Sequence, residues 1–154
     1  NKVFIPYVSA YGYTKKMADK IAEGLIEAGI QHTEVCDIEK ITFLELDRKI
    51  ASSSGLIVGS PTINQNILPQ IFGLFAAINP LRDRGKAATS FGSYGWSGEG
   101  VAIMDTILTT LKLQVIQPGI KINFRPDEKN YQQLKEFGRS FGEKMLQLKA
   151  EEQK

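Results

Sequence analysis

The chain has 154 residues, 42% of them apolar and 23% charged, and a net charge of +2. That suits one compact domain, excludes two ordinary ones, and gives no electrostatic case for a nucleic-acid partner. A single cysteine, Cys36, excludes a disulfide framework or a cysteine metal cluster within the chain and fits a reducing cytoplasm, and no apolar stretch approaches the length of a membrane span.

Val3 to Val8 reads as a first strand, although Pro6 within it cannot donate a ladder hydrogen bond and predicts one gap. Met17, Ile21, Leu25 and Ala28 mark one face of a helix that Gly29 stops. Thr33 to Asp37 is a second strand, followed by a short helix around Phe43, Leu46 and Ile50. Gly55 to Ser60 is apolar nearly throughout, as a strand buried on both faces should be. Ile71, Leu74, Phe75 and Ile78 stripe a helix ending before Pro80, and Lys86 to Phe91 is the fourth strand. Met104, Ile107, Leu108 and Leu111 stripe the fourth helix. Gln114 to Phe124 predicts a fifth strand interrupted near Pro118-Gly119. Leu134, Phe137, Phe141, Met145 and Leu148 make the last helix, with a polar tail over 151–154. Alternating strands and helices predict an α/β fold: a doubly wound five-stranded parallel sheet in the order 2-1-3-4-5, with helices on both faces.

Ligands in such a sheet bind outside the carboxyl ends of the strands, so three loops carry the functional reading. The first, Ser9-Ala10-Tyr11-Gly12-Tyr13-Thr14, joins a strand to a helix. It offers hydroxyls and backbone N–H groups but no cation, which suits a phosphate held by hydrogen bonds and the helix dipole. The second is Ser60-Pro61-Thr62-Ile63-Asn64-Gln65-Asn66, whose amides and hydroxyls suit the polar edge of a ring. The third, Gly92-Ser93-Tyr94-Gly95-Trp96-Ser97-Gly98, places the only tryptophan and a tyrosine between glycines. Glycine admits close backbone approach and the aromatics offer flat faces, which with Tyr11 or Tyr13 would sandwich a planar heterocycle. Together the loops describe a site for a mononucleotide with a large fused ring.

These three motifs resemble the flavodoxin-like FMN-binding domains, and most closely the C-terminal module of flavodiiron proteins, the A-type flavoproteins. The likeness covers nearly the whole chain, with residues 1–150 as one FMN-binding domain. The resemblance implies that Ser9, Ala10, Tyr11, Gly12, Tyr13 and Thr14 hold the FMN phosphate. It implies that Pro61, Thr62, Ile63 and Asn64 lie along the isoalloxazine, and that Ser93, Tyr94, Gly95, Trp96, Ser97 and Gly98 contact its ring and pyrimidine edge. Tyr11, and a slightly basic rather than acidic composition, lean towards the multidomain family and away from a free flavodoxin. In that family the FMN domain follows a metallo-β-lactamase-like domain whose diiron site reduces O₂ or NO, fed through FMN by a rubredoxin-like or flavin-reductase donor. The chain has one histidine, His32, so the diiron site is not expected within it. Asn1 in place of Met predicts an excised or processed module. The resemblance therefore implies an electron-transfer domain with no catalytic or metal residues of its own, cytoplasmic, and without nucleic-acid or membrane partners.

Alternatives lack their signatures or need more than this chain. A receiver domain needs acidic residues where Ser9 and Ser60 stand, and neither a P-loop nor a Gly-x-Gly-x-x-Gly fingerprint is present. A free-standing flavodoxin, an NAD(P)H:quinone reductase of the same fold, or a flavin-less regulatory domain would use the same framework. An uncharged ring pocket disfavours the fully reduced anion, with Lys15, Lys16 and Arg125 as candidate counter-charges. The second loop has no glycine, so a peptide rotation coupled to reduction is expected to be harder there. His32 reads as a surface residue, Cys36 as a buried small apolar one, and Lys135, Lys144 and Lys149 as part of a solvated face.

Overall fold

A computed structural model describes residues 1–9, 12–63, 66–95, 98–123 and 126–153. The strands are β1 (Lys2–Tyr7), β2 (His32–Asp37), β3 (Gly55–Gly59), β4 (Thr62–Ile63), β5 (Asn66–Ile67), β6 (Ala87–Tyr94), β7 (Gln114–Val115) and β8 (Ile120–Asn123). The helices are α1 (Tyr13–Glu27), α2 (Phe43–Ser52), α3 (Ile71–Ala77), α4 (Glu99–Thr110) and α5 (Glu128–Glu152), with a 3₁₀ turn at Ile38–Lys40. Strands β2, β1, β3 and β6 run parallel in that order, and β7 and β8 both pair with the other side of β6. This is the expected doubly wound α/β order, with the fifth strand split in two across Pro118-Gly119. The β1–β3 register skips Ile5 and Pro6, in line with the N–H that proline lacks.

Two features depart from the sequence pattern. Strand β6 runs three residues past Phe91, so Gly92, Ser93 and Tyr94 lie in the sheet and not in a loop. The reason is non-local: β8 pairs with all of Phe91 to Tyr94 and extends the strand beyond the end of β3. The second loop also contains a short antiparallel hairpin of β4 on β5, whose Thr62 pairs with Tyr94.

Alternation along β1 divides the core into two layers. Phe4 and Val8 face α2, α3 and α4 together with Leu56, Val58 and Ala88. Val3, Ile5 and Tyr7 face α1 and α5 together with Ile57 and Phe91. Cys36 is half-buried on the edge strand β2 and not fully enclosed; burial, chiefly, pushes its thiol above the ordinary value. His32 is exposed at the start of β2. The lysines of α5 are not simply solvated: Lys135 pairs with Glu27 at 2.8 Å, Lys144 donates to Gln117 Oε1 at 3.3 Å, and Lys149 donates to Asn1.

Helices α1 and α5 approach so closely at Gly24 and Gly138 that a side chain is excluded at both places. A Cβ at Gly24 would sit 1.9 Å from the Lys135 carbonyl oxygen, and one at Gly138 would sit 2.1 Å from that of Ile21. Both obstacles are backbone, which cannot swing aside. Gly24→Ala and Gly138→Ala are therefore expected to destabilise the fold by about 2–3 kcal/mol each in urea unfolding, even though alanine favours helix by about 1 kcal/mol.

At the opposite end of the sheet from the three loops, Asp83 is fully buried. It accepts from Arg82 at 2.9 Å, Lys86 at 2.7 Å and the Asn79 N–H at 2.9 Å, while Arg82 reaches on to Asp47 of α2. Burial opposes ionisation, but these donors outweigh it and hold the carboxyl below its ordinary value. A carboxyl depressed in the folded state contributes stability above its unfolded pKa of about 4, and that contribution disappears as pH falls through the folded value. Asp83→Asn is expected to cost about 3 kcal/mol at pH 7 and to flatten the fall in stability below pH ~4, as read by urea midpoints across pH.

Candidate functional site

The carboxyl ends of β1, β3 and β6 form one continuous rim because the ladder continues past the strands. Val8 N–H donates to Gly59 O at 3.0 Å, and Ser60 N–H donates to Phe91 O at 3.2 Å. All three sequence-defined loops leave from this rim.

The first loop delivers an incomplete polar cradle. Gly12 precedes α1 in the left-handed region at φ 78°, a conformation that favours glycine, and the space where its Cβ would be is open. Helix α1 has neither a side-chain cap nor an acidic residue in its first turn. By contrast α2 is capped by Thr42 with Glu45 in its first turn, and α5 by an Asp127–Asn130 capping box with Glu128. Ser9 Oγ and Thr14 Oγ1, on either side of this turn, are both buried without a hydrogen-bond partner among the described residues. Buried hydroxyls are normally paired, and leaving one unpaired costs about 1–3 kcal/mol. Two together at an uncapped, acid-free helix start make a site that an oxyanion would complete. Lys15, at the same turn, is paired with Asp19 at 3.0 Å. Next to the loop, burial and then Asp37 and Asp19 raise the Tyr7 hydroxyl above its ordinary value, so it stays neutral.

The second and third loops are fastened to each other. Ser60 is buried; its Oγ donates to Pro61 O at 3.0 Å and accepts from Leu68 N–H at 3.2 Å. A Cβ at Gly92 would lie 2.2 Å from Ser60 O, so only glycine lets the two backbones meet. Thr62 Oγ1 accepts from Gly100 N–H at 3.0 Å. Pro61 is buried, and Ile63 is an exposed apolar side chain. Ser93 is buried in β6 and Gly95 is exposed beyond it. The Tyr94 ring lies under Lys121 Nζ, 5.9 Å from its centroid, and Gly98 packs beside both.

The structure thus brings Ser9, Gly12, Tyr13, Thr14, Pro61, Thr62, Ile63, Ser93, Tyr94, Gly95 and Gly98 to one edge. Ala10, Tyr11, Asn64, Trp96 and Ser97, and the candidate counter-charge Arg125, lie outside the described residues. Sequence reasoning missed two participants. Lys121 is the diagonal neighbour of Tyr94 across the β6–β8 register, signalled only by the alternation of Ile120-Lys121-Ile122. The bond from Thr62 to Gly100 spans 38 positions and had no local signal. Among the described residues no group of histidine, cysteine or carboxylate side chains is arranged to hold a metal, and no helix is long and apolar enough to cross a membrane.

Comparison with known proteins follows the same lines. The flavodoxin family profile matches residues 5–138, and the chain belongs to that family. It is 37% identical to the type A flavoprotein fprA of Rhodobacter capsulatus over 140 residues, 89% of this chain and 32% of that protein. It is 34% identical to the rubredoxin-oxygen oxidoreductase of Megalodesulfovibrio gigas over 139 residues, 88% of this chain and 33% of that protein. The chain therefore spans about a third of the length of these curated relatives. Among solved structures it superposes on the rubredoxin oxygen:oxidoreductase of Desulfovibrio gigas with a TM-score of 0.87 at 30% identity, covering 94% of this chain and 36% of that one. It also superposes on a flavodoxin from the domain Archaea with a TM-score of 0.81 at 28% identity, covering 95% and 99%.

Replacing one orphaned hydroxyl by an isosteric methyl separates ligand binding from folding. Thr14→Val is expected to stabilise the ligand-free chain by about 1 kcal/mol, because the buried hydroxyl it removes has no partner. Thermal or urea unfolding checks this, and a loss of stability would show that the hydroxyl is satisfied in solution.

Proposed function

We propose that this chain is an FMN-binding electron-transfer domain that serves a diiron centre on a metallo-β-lactamase-like domain. A rubredoxin-like protein or a flavin reductase would supply the electrons. The observation that carries the cofactor is the pair of orphaned buried hydroxyls, Ser9 Oγ and Thr14 Oγ1, beside the left-handed Gly12 at the uncapped start of α1. A phosphate ester supplies the acceptors that such donors lack. When bound, FMN supplies reversible uptake and release of electrons.

In this reading Ser9, Gly12, Tyr13 and Thr14, with Ala10 and Tyr11, hold the phosphate without a cation. Pro61, Thr62, Ile63 and Asn64 line one side of the ring. The third loop, from Ser93 to Gly98, lines the other and excludes water from it. By the family resemblance Trp96 is the aromatic that would stack on the ring, and the Tyr94 ring carries Lys121 over one face. Lys121 places a positive charge behind this loop, which favours added negative charge in front of it. The electron's destination is supported by the relatives' names, which include an oxygen oxidoreductase and a nitric oxide reductase. The archaeal flavodoxin, matched over 99% of its own length, supports a second reading in which the same site serves a free-standing carrier.

The purified chain is expected to be yellow, with flavin bands nearly stoichiometric with protein and FMN released on denaturation. A colourless protein that does not quench the fluorescence of added FMN would overturn the cofactor assignment. Reduction of the flavin by rubredoxin, and its reoxidation by a diiron partner domain, separates the domain reading from the free-standing one.

A further inference from the structure

Helix α4 places Asp105 against the point where the fifth strand restarts. Its Oδ2 accepts from Gly119 N–H at 2.8 Å, and its Oδ1 lies 2.6 Å from Ser90 Oγ. Ser90 immediately precedes Phe91, and Gly119 immediately precedes Ile120, the first partners of the β6–β8 ladder. Asp105 therefore holds the residue just ahead of that ladder on each strand. A slip of one position would turn Lys121 to the opposite face of the sheet. The notch is closed around this contact, since a Cβ at Gly119 would lie 2.4 Å from both Ser90 Oγ and Val101 Cγ1.

These groups hold one proton fewer than they can use. Ser90 is fully buried and has a single hydroxyl proton, yet two acceptors lie within its reach, Asp105 Oδ1 and, at 3.2 Å, Val101 O. With Asp105 ionised, the hydroxyl donates to the carboxylate and Val101 O receives nothing from it. With a proton on Oδ1, the carboxyl donates to Ser90 Oγ, the hydroxyl turns to Val101 O, and Gly119 N–H stays on Oδ2. One added proton thus turns two hydrogen bonds into three and removes a charge that has no ion-pair partner among the described residues. Strands β4, β5, β6 and β7 and the break over 116–119 carry no charged side chain. The charged groups around Asp105 are Glu99 at the start of α4, Lys112 just past its end and Lys121 of β8. Burial pushes the carboxyl above its ordinary value, in line with the proton count.

We propose that Asp105 is a positioning residue that sets the β6–β8 register and grips it more firmly with a proton than without one. Because β8 carries β6 on to Ser93 and Tyr94, the order of the rim falls as pH rises out of the mildly acidic range. The consequence for FMN rests on the reading given above; the consequence for the fold does not. The pH trend is opposite to that of Asp83. A carboxyl that holds its proton more tightly in the folded chain contributes stability that is fully present below its unfolded pKa of about 4 and is lost as pH rises through the folded value.

Asp105→Asn copies the protonated acid, because its amide donates to Ser90 Oγ and its oxygen accepts from Gly119 N–H. In urea, the unfolding constant of wild type relative to Asp105→Asn is expected to rise about fivefold from pH 4 to pH 8, with a parallel fall in exchange protection of the β8 amides in wild type alone. FMN affinity, taken as the same ratio so that titration of the phosphate cancels, is expected to weaken about threefold. Carbon-13 NMR of the wild-type carboxyl is expected to show Asp105 titrating above the ordinary value of about 4. Titration at or below that value, or a level unfolding ratio, would overturn the proton-dependent grip, and a level affinity ratio in protein that binds FMN would overturn its bearing on the site. Should neither protein bind FMN, the cofactor reading falls while the unfolding ratio and the carboxyl titration still decide the role of Asp105. If Asp105→Asn does not fold, the wild-type titration and β8 protection decide it.

Discussion

The rim depends on how closely the ends of β3 and β6 approach each other. A Cβ at Gly59 would meet the Phe91 ring at 2.2 Å, and one at Gly92 would meet Ser60 O at the same distance. Glycine at these two places lets Phe91 fold over its strand neighbour and lets the second loop lie directly against β6. With any side chain there, the two loops would stand apart, and Thr62 would no longer reach both Tyr94 and Gly100. The rim is thus set by missing atoms as much as by present ones.

That approach is useful only if β6 extends beyond β3, and the broken fifth strand arranges this. Asp105 on α4 accepts from Ser90 Oγ at 2.6 Å and from Gly119 N–H at 2.8 Å. Its burial outweighs these donors and raises the carboxyl above its ordinary value. From the other layer, the Gln117 side chain donates through Nε2 to Phe137 O and accepts at Oε1 from Ser140 and Lys144, and its main-chain carbonyl accepts from Thr89 Oγ1 at 2.8 Å. The break is therefore pinned to both helical layers by paired polar groups, as buried polar groups should be. Strand β8 restarts with a register that covers Phe91 to Tyr94, and β6 runs on beyond the end of β3 toward the site.

What the sequence revealed follows the range of each interaction. The strands, the amphipathic stripes, the sheet order and the gap at Pro6 follow from local periodicity and were legible. Ser93 and Tyr94 looked like loop residues because Gly92 reads as punctuation, and the strand that extends them lies beyond a Pro-Gly break. The β4–β5 hairpin was too short for any period to show. Gly24 and Gly138 look like weak points in their helices until the opposing backbone is seen. Lys135 and Lys144 fit a solvated face by spacing, yet their partners lie on α1 and on the fifth-strand break. For the site, chemistry was legible as composition in three loops, while the ties between those loops were not, since Thr62 and Gly100 are neighbours only in the folded chain.

The completed rim has two unlike halves. On one side the described residues are tied to each other: Thr62 Oγ1 accepts from Gly100 N–H, Ser60 Oγ accepts from Leu68 N–H and donates to Pro61 O, and Gly92 lies against Ser60 O. On the other side, among the described residues, α1 has no side-chain cap, no acid in its first turn and no partner for two buried hydroxyls. In the proposed reading, a phosphate-bearing ligand would meet fastened loop ends on one side and a hydrogen-bonding deficit on the other. Binding energy from the deficit goes into completing the first loop, which links ligand occupancy to the stability of the whole chain. A resident cofactor fits that arrangement better than a substrate that must leave on every turnover, because release would reopen the same unpaired groups. The uncharged cradle points the same way. In the proposed reading, with no cation in the first loop's sequence to hold a phosphate, Lys121 beside Tyr94 would be left to act on the part of the ligand whose charge changes.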